Sequence, residues 1–202
     1  MSVPCLSPFV YQMDKVELTI HQRIAGFLFN LLSLYARFLH LGEVIAAPFE
    51  MRHLPRRASR EPDLLFLARE HQDLLTPQRL DGPADLVVEL ISDSSVVRDR
   101  EHKFDEYQAA GVREYWIIDP RPGSERVDFY QLSVDGRYQP VVPDDRERYH
   151  AAVLPGFWLD TTWLLQDPLP DPLTCLAAIA PHILRAALTA AGPDAGADEE
   201  VV

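Results

Sequence analysis

Leu86-Val87-Val88-Glu89-Leu90-Ile91 is followed by Ser92-Asp93-Ser94-Ser95, a polar stretch ending in Ala110-Gly111, and then Val112-Arg113-Glu114-Tyr115-Trp116-Ile117-Ile118. The two apolar, β-branched runs read as strands. Ser92 to Ser95 offers helix N-caps and Gly111 a C-terminal stop, so a helix running to Ala110 lies between them. A strand, a crossover helix and a second strand set the fold class as α/β. Glu89 is the most informative residue of the stretch. A carboxylate in the middle of an apolar strand costs several kcal/mol unless something pairs with it. Such an acid holds a metal, meets a cation or moves a proton.

Upstream, Pro62-Asp63 opens a similar run, Leu64-Leu65-Phe66-Leu67, and the spacing predicts a strand over 62–68. A further strand is expected over 43–52, then a basic loop, His53-Leu54-Pro55-Arg56-Arg57-Ala58-Ser59-Arg60. Asp14 with Glu17 has the form of a capping box. Ile24, Phe27, Leu28, Leu31, Leu34, Tyr35 and Phe38 then repeat at the helical period, predicting a helix over 15–40 stopped by Gly42. Downstream, residues 127–132 and 137–142 flank Asp135-Gly136, a strong hairpin signal. Leu154 to Leu165 reads as a late strand or turn, and residues 173–190 as a helix interrupted at Pro181. Three strands in meander, a helical crossover and a hairpin make a mixed sheet with helices on its faces.

The chain has 202 residues and 47% hydrophobic content, enough for one domain with a real core. Residues 14–165 form the expected domain, 166–191 a helical extension and 192–202 a disordered Ala/Gly-rich tail. Cys5 and Cys175 suggest neither zinc nor a disulfide framework, and a cytoplasmic location is expected. The longest apolar stretch, residues 24–41, is broken by Asn30, Arg37 and His40, so no membrane span is expected. The net charge of −12 argues against simple electrostatic binding to nucleic acid, although discounting the tail's Asp194, Asp198, Glu199 and Glu200 leaves −8.

The order of Pro62-Asp63 and Glu89 on successive core strands resembles the PD-(D/E)XK nuclease superfamily. Three stretches resemble its Uma-two family of restriction endonucleases: Val88-Glu89-Leu90-Ile91-Ser92, Arg98-Asp99-Arg100-Glu101-His102-Lys103, and Tyr107-Gln108-Ala109-Ala110-Gly111-Val112-Arg113-Glu114-Tyr115-Trp116-Ile117-Ile118-Asp119-Pro120. His21-Gln22-Arg23-Ile24, Gly42-Glu43-Val44 and Leu154-Pro155-Gly156-Phe157-Trp158-Leu159-Asp160 agree with it. The resemblance implies a restriction-endonuclease-like mixed β-sheet flanked by helices, with an additional C-terminal β-hairpin. It also implies an endonuclease acting on DNA with Mg²⁺ or Mn²⁺.

There are departures from the pattern. The superfamily's lysine two residues beyond the strand acid is replaced by Ile91, and the Uma-two family is similar in carrying it on the following helix, here Lys103. Asp93 stands where the family has proline.

Mg²⁺ held by one or two carboxylates keeps several waters, neutralises a phosphate and activates a nucleophile. Asp63 and Glu89, with the Leu90 carbonyl, are the candidate ligands, and Lys103 the candidate for orienting water or offsetting charge. Glu17 and His21, one helical turn apart, are auxiliary candidates; a surface histidine is an equal reading. Arg52, Arg56, Arg57 and Arg60 could grip a DNA backbone, or could be a solvated loop balancing nearby acids. The structural alternatives are a turn-capping role for Asp63, an ion pair of Glu89 with a buried arginine, and pairing of Lys103 with Asp99. Glu50 is a weaker candidate, Asp119 a turn former, and Trp116, Phe157, Trp158 and Trp163 core residues. Cutting both strands of a duplex suits a homodimer. The rival reading is a catalytically inactive nuclease-like fold serving as a nucleic-acid or protein interaction module.

Overall fold

The computed structural model describes residues 15–52, 59–93, 96 and 98–190. Helix α1 (Lys15–Phe38) buries Ile24, Phe27, Leu28, Leu31 and Tyr35 of the stripe expected from its periodicity, and Leu32 besides; Leu34 is only half-buried and Phe38 is exposed. It leads into β1 (Gly42–Ala46). Gly42 does not stop the helix, which closes at His40 with a left-handed φ of 54°; it is required in the strand, where a Cβ would sit 2.1 Å from the Leu67 carbonyl oxygen. The single strand expected over 43–52 is divided. Pro48, which has no N–H for a ladder, separates β1 from the short β2 (Glu50–Met51). β3 (Leu64–Ala68) follows, and then β4 (Arg79–Leu80), a two-residue strand that no apolar run marks. β2 and β4 pair in parallel as a separate two-stranded sheet.

β5 (Leu86–Leu90) is the strand that carries Glu89. The expected crossover helix is less regular than its caps suggest. A π-helical turn over Arg98–His102 precedes α2 (Lys103–Ala110), so Lys103 begins the α-helix instead of lying two turns inside one. Gly111 closes α2 with a left-handed φ of 89°. β6 (Glu114–Asp119) then lies parallel to β5, starting two residues later than the apolar pattern suggests. β7 (Arg126–Leu132) and β8 (Tyr138–Val141) form the hairpin at Asp135-Gly136.

These strands make one mixed six-stranded sheet in the order β1-β3-β5-β6-β7-β8, antiparallel except at β5–β6. β9 (Arg148–His150) and β10 (Trp158–Asp160) pair as a small second hairpin. Helices α3 (Pro172–Ile179) and α4 (Pro181–Ala190) follow, divided at Pro181. Residues 192–202, expected to be a tail, lie outside the described residues.

Strand alternation sorts the interior into two layers. Phe66, Val88, Trp116, Ile118 and Phe129 face α1 together with Cys175 and Leu176 of α3. Leu65, Leu67, Val87, Tyr115 and Ile117 face the opposite side, where Tyr107 of α2 covers them. Each fully buried leucine or phenylalanine contributes roughly 1.5–3 kcal/mol. Of the aromatics expected in the core, Trp116 and Phe157 are buried; Trp158 is half-buried, with the Arg148 guanidinium 4.0 Å over its ring. No described helix is long and apolar enough to cross a membrane.

Candidate active site

Glu89 alternates with Val87 and Ile91, so its carboxylate points to the α2 side of the sheet. Only 3% of that side chain is exposed, and two donors meet its Oε1: Lys103 Nζ at 2.7 Å and the Tyr107 hydroxyl at 2.8 Å. Lys103 and Tyr107 are one helical turn apart on α2 and share its buried face. The cation that meets Glu89 is therefore Lys103. Lys103 is itself buried. The side chain of Asp99, its alternative partner, lies outside the described residues.

Asp63 stands at the entry to β3, beside the end of β5. Its Oδ2 accepts a hydrogen bond from the Leu90 backbone N–H at 2.8 Å, which ties it to the residue after Glu89. His21 of α1 reaches the same oxygen, with Nε2 at 3.3 Å. That hydrogen bond to Asp63, with the Asp63 charge and the Leu90 backbone, raises the His21 pKa above the ordinary imidazole value against the opposing effect of burial. Two contact sets thus lie at adjacent residues of β5: Asp63 with His21 on the Leu90 N–H, and Glu89 with Lys103 and Tyr107. The side chain of Glu17 lies outside the described residues.

Of the arginines expected either to grip a backbone or to balance nearby acids, Arg52 and Arg60 are described. Arg52 is paired with Glu50, and Arg60 Nη2 donates to Glu106 Oε1 at 2.8 Å, so both already have a carboxylate. Arg56 and Arg57 lie outside the described residues. Sequence reading did not single out Arg121, just beyond β6. Its Nε and Nη2 donate to Asp119 at 2.8 and 2.9 Å, and its Nη1 to Asp93 at 2.8 Å. Asp119 is held through both its side-chain oxygens, a larger role than forming a turn. With Ile20, His21, Ile91, Ser92, Pro120 and Pro122, Arg121 lines a small crevice beside the Asp63–Leu90 contact.

Tyr107 was also legible only as a buried ring, because a hydroxyl donor and a packing aromatic look alike in sequence. A second strand carboxylate, Glu114, gives the same signal as Glu89 and has a different environment. It faces the α1 layer and accepts from Trp116 Nε1, the Tyr149 hydroxyl and the backbone N–H groups of Ala152 and Val153. Burial pushes its pKa up against those four donors. With every partner on a wall of the core, Glu114 is a structural tie between β6 and the β9–β10 segment.

The donor set at Asp63, Glu89 and Leu90 is all oxygen. Among the described residues no group of three or more His, Cys, Asp or Glu side chains comes together as a metal cage. Two carboxylates and a backbone carbonyl suit Mg²⁺, which retains water and binds through one or two carboxylates, better than a metal that needs full protein enclosure.

A family model described as "Uma2: Putative restriction endonuclease" matches residues 9–162 of the chain. Among solved structures, the chain is similar to "a putative nuclease belonging to DUF820" from Anabaena variabilis, at 14% identity and a TM-score of 0.53. The match covers 73% of this chain and 82% of that one. At that identity the likeness concerns the fold: a mixed sheet flanked by helices as in a nuclease. Among curated proteins, none matches this sequence.

Proposed function

The chain belongs to the Uma2 family, and from that premise we propose that it is a metal-dependent endonuclease hydrolysing phosphodiester bonds in DNA. The observation that carries the reading is that Asp63 is tied to the Leu90 N–H, the residue next to Glu89, whose carboxylate holds Lys103. Asp63 and Glu89 would hold Mg²⁺ or Mn²⁺ with the Leu90 carbonyl. When bound, such an ion neutralises phosphate charge and lowers the pKa of water to make a nucleophile.

The protein groups do the rest. The Leu90 N–H fixes the Asp63 carboxyl, and the Tyr107 hydroxyl with Lys103 Nζ fixes that of Glu89. Lys103 would offset the charge that builds on the phosphate in the transition state. A homodimer and a cytoplasmic setting belong to the same proposal.

The second reading, a non-catalytic module built on the nuclease fold, draws on Lys103 and His21, which already satisfy the two carboxylates. Supercoiled plasmid with the purified protein and Mg²⁺ or Mn²⁺ separates the two readings. The endonuclease reading expects nicking that Asp63→Ala and Glu89→Ala each abolish. Cleavage surviving both substitutions contradicts the site, and an inert wild-type protein across DNA and RNA substrates favours the module.

A further inference from the structure

Beyond β6 the C-terminal rim of the sheet carries a relay of alternating charges. Asp93 meets Arg121, Arg121 meets Asp119, Asp119 lies 3.6 Å from Arg100, and Arg100 and Arg126 both meet Asp128. Three arginines balance three aspartates. Exposure is unequal along it: the Asp119 side chain is 4% exposed and the Asp93 side chain 71%.

Arg121 is thereby held in a particular way. Asp119 grips its Nε and Nη2 edge from inside the protein and fixes the plane of the guanidinium. The neighbouring carboxylates raise its pKa further, so its charge is permanent. Its Nη1 points instead to Asp93, an exposed carboxylate on the loop directly after β5. That edge borders the crevice shared with His21, whose ring touches Asp63. An exposed ion pair of this kind contributes little and is readily exchanged. A phosphate oxygen offers the same charge and geometry as the Asp93 oxygen it would replace.

We propose that Arg121 is a phosphate clamp of the nucleic-acid substrate, and that Asp93 is a built-in anion which a backbone phosphate displaces. The inference rests on the phosphodiesterase reading and adds to it a binding residue and a competitor. Losing Asp93 from the pair leaves the relay one positive charge in excess beside the site. Asp93 therefore lowers substrate affinity in this chain by competing for one guanidinium edge.

The test is fluorescence anisotropy of a labelled DNA duplex over a range of salt, with Ca²⁺ in place of Mg²⁺ to hold off cleavage. Asp93→Asn should tighten binding about three- to five-fold, the scale of an exposed ion pair. Arg121→Gln should weaken it and reduce the slope of log K against log salt by about 0.9. In the double variant the gain from Asp93→Asn should vanish, which separates a local clamp from a general effect of surface charge. Should Arg121→Gln not fold with Asp119 left unpaired, Arg121→Lys, which keeps charge but loses the fork, supports the same cycle. Wild-type binding with additive effects of the two substitutions overturns the clamp and leaves the nuclease reading standing. A wild-type protein that binds no DNA at any salt overturns both.

Discussion

Lys103→Met removes one charge from a buried pair while nearly preserving side-chain length. In the folded protein Glu89 would lose the ammonium on Oε1 and keep the Tyr107 hydroxyl there, in a position 3% exposed. Breaking a buried ion pair from one side costs about 3–5 kcal/mol, and the remaining charged hydrogen bond places the expected loss near the lower figure. For a domain of this size about 3 kcal/mol corresponds to a fall in Tm of roughly 6–12 °C. Adding Glu89→Gln to Lys103→Met removes the stranded charge, and the Gln carbonyl still accepts from Tyr107. Most of the lost stability should return, giving a large coupling in the double-mutant cycle. Thermal and urea unfolding of the wild type, both single variants and the double variant measure it. A fall below about 2 °C for Lys103→Met, or no recovery in the double variant, would refute the claim that Lys103 compensates Glu89 in the core.

Two further expectations concern groups outside that pair. Glu114→Gln turns an amide N–H₂ toward the backbone donors of Ala152 and Val153, so it should cost about 3 kcal/mol in urea unfolding. The folded pKa of Glu114 lies above its ordinary 4.5, so the stability from its extra proton affinity is complete below 4.5 and lost as pH rises through the folded value. The variant should lack that part of the pH dependence, and an unchanged profile would count against it. Cys175 is buried, and its thiol is pushed up to about 11, by burial foremost and by the charges of Asp171 and Asp160. With Cys5 replaced by serine, only about a thousandth of it should be thiolate at pH 8, and a thiol reagent should label it only on unfolding. Rapid labelling of the native protein would contradict that placement.

The parts of the fold that sequence made legible rest on periodicity. The 3.6-residue stripe of α1 and the apolar runs of β3, β5 and β6 each have one dominant physical cause, burial of a face. Where two causes compete, the reading is weaker. Pro48 cuts an otherwise strand-like stretch, and a π-helical turn over Arg98–His102 puts Lys103 at the start of α2.

The same holds at the site. Glu89 could be found because a carboxylate in an apolar strand demands a partner. That argument applies equally to Glu114, and only geometry separates a carboxylate facing α2 and Lys103 from one enclosed by four donors of the core wall. Tyr107 and Arg121 escaped notice because their roles depend on contacts across 18 and 28 residues of chain, which no local pattern encodes.

Calorimetric titration with Mn²⁺ tests whether Asp63 and Glu89 together hold a divalent cation. One site is expected in the wild-type protein, lost in both Asp63→Ala and Glu89→Ala, with each variant still folded by circular dichroism. Wild-type protein that binds no Mn²⁺, or binding that persists in either variant, would contradict it.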